Sequence, residues 1–173
     1  SDARNDKNKT KSILSNGIII CSILGLILTA LVLIFKPIIY YMGQPEIVVV
    51  LAYPYITLVA ISLFPLIIFQ SFKQFSDGLS FTKIAMISTV IANIINVVLN
   101  YILIYGEFGF PRLELVGAGI GTLISRFIMV LLIIYLIKSN SKTNQYINNL
   151  FSFEYSSKII KKIFNLGYPS ALQ

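Results

Sequence analysis

The stretch Ile84 to Gly106, IAMISTVIANIINVVLNYILIYG, decides what kind of molecule this is. It carries no charge, and it exceeds the roughly 20 residues that a helix needs to cross the hydrocarbon of a bilayer. At 100° per residue, Thr89, Asn93, Asn96 and Asn100 fall within roughly 60° of one another on a helix. Ile91, Ile94, Ile95, Val98, Leu99 and Ile102 fill the other directions. An amide turned toward lipid finds no hydrogen-bonding partner, so this polar stripe faces protein, an aqueous cavity or an ion. Two readings stay open at this point. In one, the amides bond to neighbouring helices, each bond contributing about 1 kcal/mol or less. In the other, their carbonyl oxygens and the threonine hydroxyl line a transport path or ligate a hard cation.

The rest of the chain repeats the pattern of that stretch. Charges are also absent from Lys11 to Lys36, from Glu46 to Lys73, and from Glu114 to Lys138 except for Arg126. The composition agrees: 56% of residues are hydrophobic, 12% are charged, and the mean hydropathy is +0.81. A soluble domain carries about a quarter charged residues. The expected fold class is therefore an all-α integral membrane protein with four spans, at about 13–36, 47–72, 84–106 and 115–137. The first of these is too long for a cleaved signal peptide and is followed by three of its kind. With no histidine and a single cysteine, Cys21, the ligands of ordinary zinc or iron chemistry are missing. No span holds paired acids or a nucleophile beside a base, so an enzyme is not expected.

The net charge of +7 is a matter of topology rather than of nucleic-acid binding. Of the Lys and Arg residues, Arg4, Lys7, Lys9 and Lys11 precede the first span. Lys73 and Lys83 lie between the second and third, and Lys138, Lys142, Lys158, Lys161 and Lys162 follow the fourth. The two opposite loops hold only Lys36 and Arg112, so the positive-inside rule places both ends of the chain in the cytoplasm. Tyr40, Tyr41, Tyr53, Tyr55, Tyr101 and Tyr105 cluster toward the outward ends, where a ring with a polar tip prefers the headgroup level. Beyond the polar run Ser139 to Asn149, Ser156 is placed to cap a short amphipathic helix. Ile159, Ile160, Ile163 and Phe164 on that helix oppose Lys158, Lys161 and Lys162, which suits the cytoplasmic membrane surface and its anionic lipid. Ser1 to Lys11 reads as a loop between two spans, and the chain closes where another helix begins, so a piece of a longer protein is expected.

Three further features bear on chemistry. Gly117, Ala118, Gly121, Thr122 and Ser125 place small residues four apart, which allows close helix approach. Thr122 offers a hydroxyl as a ligand, although bonding back to its own helix is the commoner fate of such a group. Arg126 sits near the middle of the fourth span with no carboxylate in any span, and its partner is expected to be backbone carbonyls or a residue outside this chain. Pro54 and Pro65 remove backbone donors from the second span, so bends are expected there.

The run from Phe72 through Gln74-Phe75-Ser76-Asp77-Gly78 to Lys83, then Asn93 through Asn96 and Asn100 to Gly106, then Phe108-Gly109-Phe110-Pro111 to Val116-Gly117-Ala118-Gly119, resembles the multidrug and toxic compound extrusion (MATE) family. Gly167-Tyr168-Pro169-Ser170-Ala171-Leu172-Gln173 looks like the entry to the seventh helix of that fold. The resemblance implies that residues 1–150 are part of the first lobe of a two-lobe, twelve-helix transporter, supplying helices three to six. Residues 151–173 then form an interfacial linker helix and the start of the second lobe.

It also implies a monomeric, ion-coupled antiporter of the bacterial inner membrane that exports organic cations and other amphipathic compounds by alternating access. Na⁺ or H⁺ serves as the coupling ion, and no other cofactor is implied. Asn96, Asn100 and Thr122 occupy the positions at which Na⁺-coupled members hold their cation, and Thr89, Asn93 and Arg126 fall to the substrate cavity. Two departures matter. Asn100 stands where some members have Asp, and the Asp of the first helix lies outside this chain. A lipid-linked oligosaccharide flippase of the same superfamily, and a non-transporting membrane scaffold, are the alternative readings.

Overall fold

The computed structural model describes residues 2–141 together with Thr143 and Asn144. Four long helices dominate: α1 (Asp2–Phe35), α2 (Glu46–Gly78), α3 (Thr82–Tyr105) and α4 (Glu114–Ser139), with no strand among the described residues. All four are long and apolar enough to cross a membrane. The all-α membrane class expected from the charge gaps is the class observed. The short amphipathic helix expected after Ser156 lies outside the described residues.

The helices overrun the apolar segments. α1 starts at Asp2, so the opening segment read as a loop is helical, and α2 continues past residue 72 through Lys73 and Asp77 to Gly78. The reason is physical: a gap in charge marks where side chains meet lipid, whereas a helix persists as long as its backbone bonds close. Pro54 and Pro65 both sit inside the continuous helix α2, so neither ends it.

A 3₁₀ turn over Lys36–Tyr41, with proline near its start, leads from α1 toward α2. α3 closes on Gly106 in the left-handed conformation, its N–H bonded to Ile102 O at 2.9 Å. The Leu113 N–H then bonds to Leu103 O at 3.0 Å, tying the α3–α4 loop back onto α3. At this same end Lys36 Nζ lies 3.4 Å from the Tyr53 ring centroid and donates to Thr57 Oγ1 at 2.6 Å. Tyr40 packs on Tyr53 with centroids 5.6 Å apart. A lysine of this chain thus covers one aromatic face that the tyrosine cluster could have offered to a ligand.

α4 packs against both α2 and α3, α1 packs against α2, and α2 touches α3 only lightly. Leu14, Phe69, Phe72, Ile84, Ala85, Ala92, Met129, Ile133 and Ile137 form the buried core. Most of them lie where α1 and α3 begin and α2 and α4 end, at the end of the bundle that carries Lys73, Lys83 and Lys138. Leu26, Ile94, Val97 and Leu131 point outward and exposed, as a lipid-facing surface requires.

Candidate functional site

Glycines on two faces of α4 set how close its neighbours come. A Cβ built on Gly117 would stand 2.6 Å from Leu103 O and 2.7 Å from Leu103 C, so the α3 backbone lies directly against it. One turn on, a Cβ on Gly121 would collide with Asn100 Oδ1. Gly119, on the other side of α4, faces Leu58 and Tyr55 of α2. The small residues four apart do what their spacing predicts, and they press the amide stripe of α3 against α4.

Between α2, α3 and α4 lies a partly open cavity of about 330 Å³. From α3 it is lined by Thr89, Asn93 and Asn96, from α4 by Thr122, Ser125 and Arg126, and from α2 by Gln70 and Lys73. Leu66, Phe69, Ala92 and Met129 supply apolar wall. Five of the six residues singled out from sequence therefore meet around one space. The sixth, Asn100, does not line it. It sits one turn further along α3, where its amide donates to Asn96 Oδ1 at 3.2 Å. Its own Oδ1 is buried and accepts no hydrogen bond among the described residues.

The hydroxyls behave as membrane hydroxyls commonly do. Thr89 Oγ1 donates to Ala85 O at 2.9 Å, Thr122 Oγ1 to Ala118 O at 2.8 Å, and Ser125 Oγ to Gly121 O at 2.7 Å. Each hydroxyl spends its proton on its own helix and keeps acceptor lone pairs free. Near Asn96 the polar surface is thus rich in neutral oxygen acceptors, the donor type that suits a hard cation. No group of three His, Cys, Asp or Glu that could hold a metal ion occurs among the described residues.

Arg126 corrects the sequence-based expectation for its partner. Its Nη1 donates to Ser62 Oγ of α2 at 2.5 Å, and Ser62 Oγ donates onward to Val59 O at 2.7 Å. The partner is a fully buried serine hydroxyl within this chain. Lys73 and Gln70 were also missed. Charge alone assigns Lys73 to a cytoplasmic loop, but the continuation of α2 carries it to the cavity wall. Among the described residues the one ion pair joins Arg112 Nε to Glu114 Oε1 at 3.3 Å, both largely exposed and neither lining the cavity.

A family model described as MatE matches residues 3–102, which take in α1, α2 and most of α3. A relative named "Probable multidrug resistance protein NorM", from Photorhabdus laumondii subsp. laumondii, is 33% identical over 171 residues. That alignment covers 98% of this chain and 37% of the relative. The "Multidrug resistance protein NorM" of Vibrio cholerae is 37% identical over 106 residues, covering 61% of this chain and 23% of its own length. Among solved structures, one titled as the inward-facing conformation of a multidrug resistance MATE family transporter of the MOP superfamily superimposes with a TM-score of 0.80 at 28% identity. It covers 98% of this chain and 38% of that structure. The chain thus spans well under half the length of the relatives it matches.

Proposed function

The chain belongs to the MatE family, and from that premise we propose that it supplies part of one lobe of an ion-coupled efflux antiporter. In this reading the protein exports organic cations, drugs and other amphipathic xenobiotics by alternating access, driven by Na⁺ or H⁺. It works as a monomer in the bacterial inner membrane with both ends of this chain on the cytoplasmic side. Asn96, Asn100 and Thr122 contribute to the cation site, while Thr89, Asn93 and Arg126 belong to the substrate cavity.

The observation that carries the cation site is the buried, unpartnered Asn100 Oδ1 beside Asn96. A buried acceptor left without a donor costs about 1–3 kcal/mol, and a bound cation removes that cost. Neutral oxygens alone hold Na⁺ weakly, so the reading calls for a carboxylate from outside this chain to complete the site.

The test is flux. In proteoliposomes bearing the full-length protein that carries this chain, a fluorescent organic cation is expected to accumulate only when a Na⁺ or H⁺ gradient is imposed. Absence of ion-dependent flux would return the amide stripe to helix glue and the protein to a scaffold.

Gly121 offers a finer check of the same reading. Alanine there places a methyl too close to Asn100 Oδ1, and the flexible amide yields before the helices do. Gly121→Ala is therefore expected to lower ion-driven flux by about tenfold, the worth of about 1 to 1.5 kcal/mol of lost ligand geometry, with little change in thermal stability. Flux at the wild-type level would separate Asn100 from the ion.

A further inference from the structure

We infer that Ser62 is a positioning residue of the transport site: it holds the Arg126 guanidinium on the α2 side and so keeps the neutral oxygens of Asn96 and Thr122 open to the coupling ion. The inference rests on the cation-site reading above and deepens it. Arg126 lies near the middle of α4 and Ser62 near the middle of α2. A guanidinium at that depth needs a hydrogen-bonding partner wherever it points. On its own helix Arg126 stands one turn beyond Thr122, and a helical side chain leans back toward the N-terminus, so its local preference is to lie over Thr122. The structure shows a different course. Arg126 Nη1 donates to Ser62 Oγ, and Ser62 is fully buried one turn before Leu66, where the α2 lining of the cavity begins.

The Ser62 hydroxyl is set to accept. Its one proton goes to Val59 O at 2.7 Å, which leaves only its lone pairs for Arg126. Oxygens of the cavity compete for the same donor. Thr122 Oγ1 gives its proton to Ala118 O, and Asn96 Oδ1 accepts one bond, from Asn100, so each retains an acceptor lone pair. Those lone pairs are what a hard cation uses. Ser62 therefore offers the guanidinium an acceptor outside the cavity. Without it the guanidinium turns to the acceptors inside, and the ion meets a competitor tethered to α4.

The experiment measures equilibrium binding of radioactive Na⁺ to the purified full-length protein that carries this chain, because a dissociation constant does not depend on the amount of folded protein. Ser62→Ala is expected to weaken Na⁺ binding by about tenfold. Ser62→Cys, of similar size but with a sulfur that accepts only weakly, should shift the constant in the same direction and stands in wherever the alanine variant does not fold. A double-mutant cycle separates this role from packing. In an Arg126→Gln background the guanidinium is gone, so Ser62→Ala should change the constant by less than about twofold. An equal loss in both backgrounds assigns Ser62 to α2–α4 packing and overturns the proposal, as does parental affinity in both Ser62 variants. An Arg126→Gln protein that binds no Na⁺ overturns it too, because the guanidinium is then a requirement rather than a competitor. Asn96→Ala combined with Asn100→Ala tests the underlying reading separately. If that pair binds Na⁺ as the parent does, both readings fall; if it loses Na⁺ and the Ser62 variants do not, only the role of Ser62 falls. A parent protein that binds no Na⁺ overturns the proposal and leaves H⁺ to drive efflux.

Discussion

Valine in place of Gly117 is expected to remove most of the folded full-length protein from the membrane. Even the first added carbon would stand 2.6 Å from Leu103 O and 3.1 Å from Ile104 N, and these are backbone atoms that no rotamer change can clear. Relief requires α3 and α4 to separate along the seam where Leu113 N–H also bonds to Leu103 O. Overpacking of a close contact costs about 1–3 kcal/mol, and a contact made with backbone atoms puts this substitution at the top of that range. Gly117→Ala should be milder in degree but the same in sign. Thermal unfolding of the detergent-solubilised protein, followed by its monodisperse fraction, reads the effect. Gly78→Ala is the control: nothing lies within 4 Å of its added carbon, and alanine favours a helix by up to about 1 kcal/mol, so this variant should match or exceed the parent. Equal melting of the Gly117→Val and parent proteins would refute the close α3–α4 seam.

The second large effect is expected from Asn96→Ala combined with Asn100→Ala. The pair is linked by the 3.2 Å bond from the Asn100 amide to Asn96 Oδ1, and the remaining Asn100 oxygen is the buried acceptor that lacks a partner. Removing both carboxamides deletes two neutral oxygens from the proposed cation site. A bond to a charged partner contributes about 1.5–3 kcal/mol, so ion-driven flux should fall by about tenfold to hundredfold. Helix packing should survive, because α3 keeps its contact with Gly117 and its buried residues Ile84, Ala85, Ser88, Ala92 and Leu103. Flux that persists with its ion dependence intact would show that these asparagines only join helices. A protein that melts early would assign them to packing, which the thermal measurement above distinguishes.

The amide stripe was legible because helical spacing places Thr89, Asn93, Asn96 and Asn100 on one side of an otherwise aliphatic helix. Arg126 was legible because a base amid hydrocarbon stands out. Ser62 was not: a serine in an apolar span is ordinary, and only the approach of α4 to α2 shows that its hydroxyl receives the guanidinium. Lys73 was read as topology, which is the common fate of a lysine after an apolar run, and the continuation of α2 gave it a second setting at the cavity.

Residue order alone was enough to establish four apolar helices and the polar face of α3. These follow from hydropathy and from a repeat of 3.6 residues, both of which are local properties. Which helices touch, and so which side chains share a cavity, depends on contacts between residues far apart in the chain. The glycines of α4 draw α3 close, bury the Asn100 oxygen without a partner, and leave a space in which Asn96, Thr122, Arg126 and Lys73 are gathered or adjoin. Steric fit between backbones decides that arrangement, and no single segment contains the information for it.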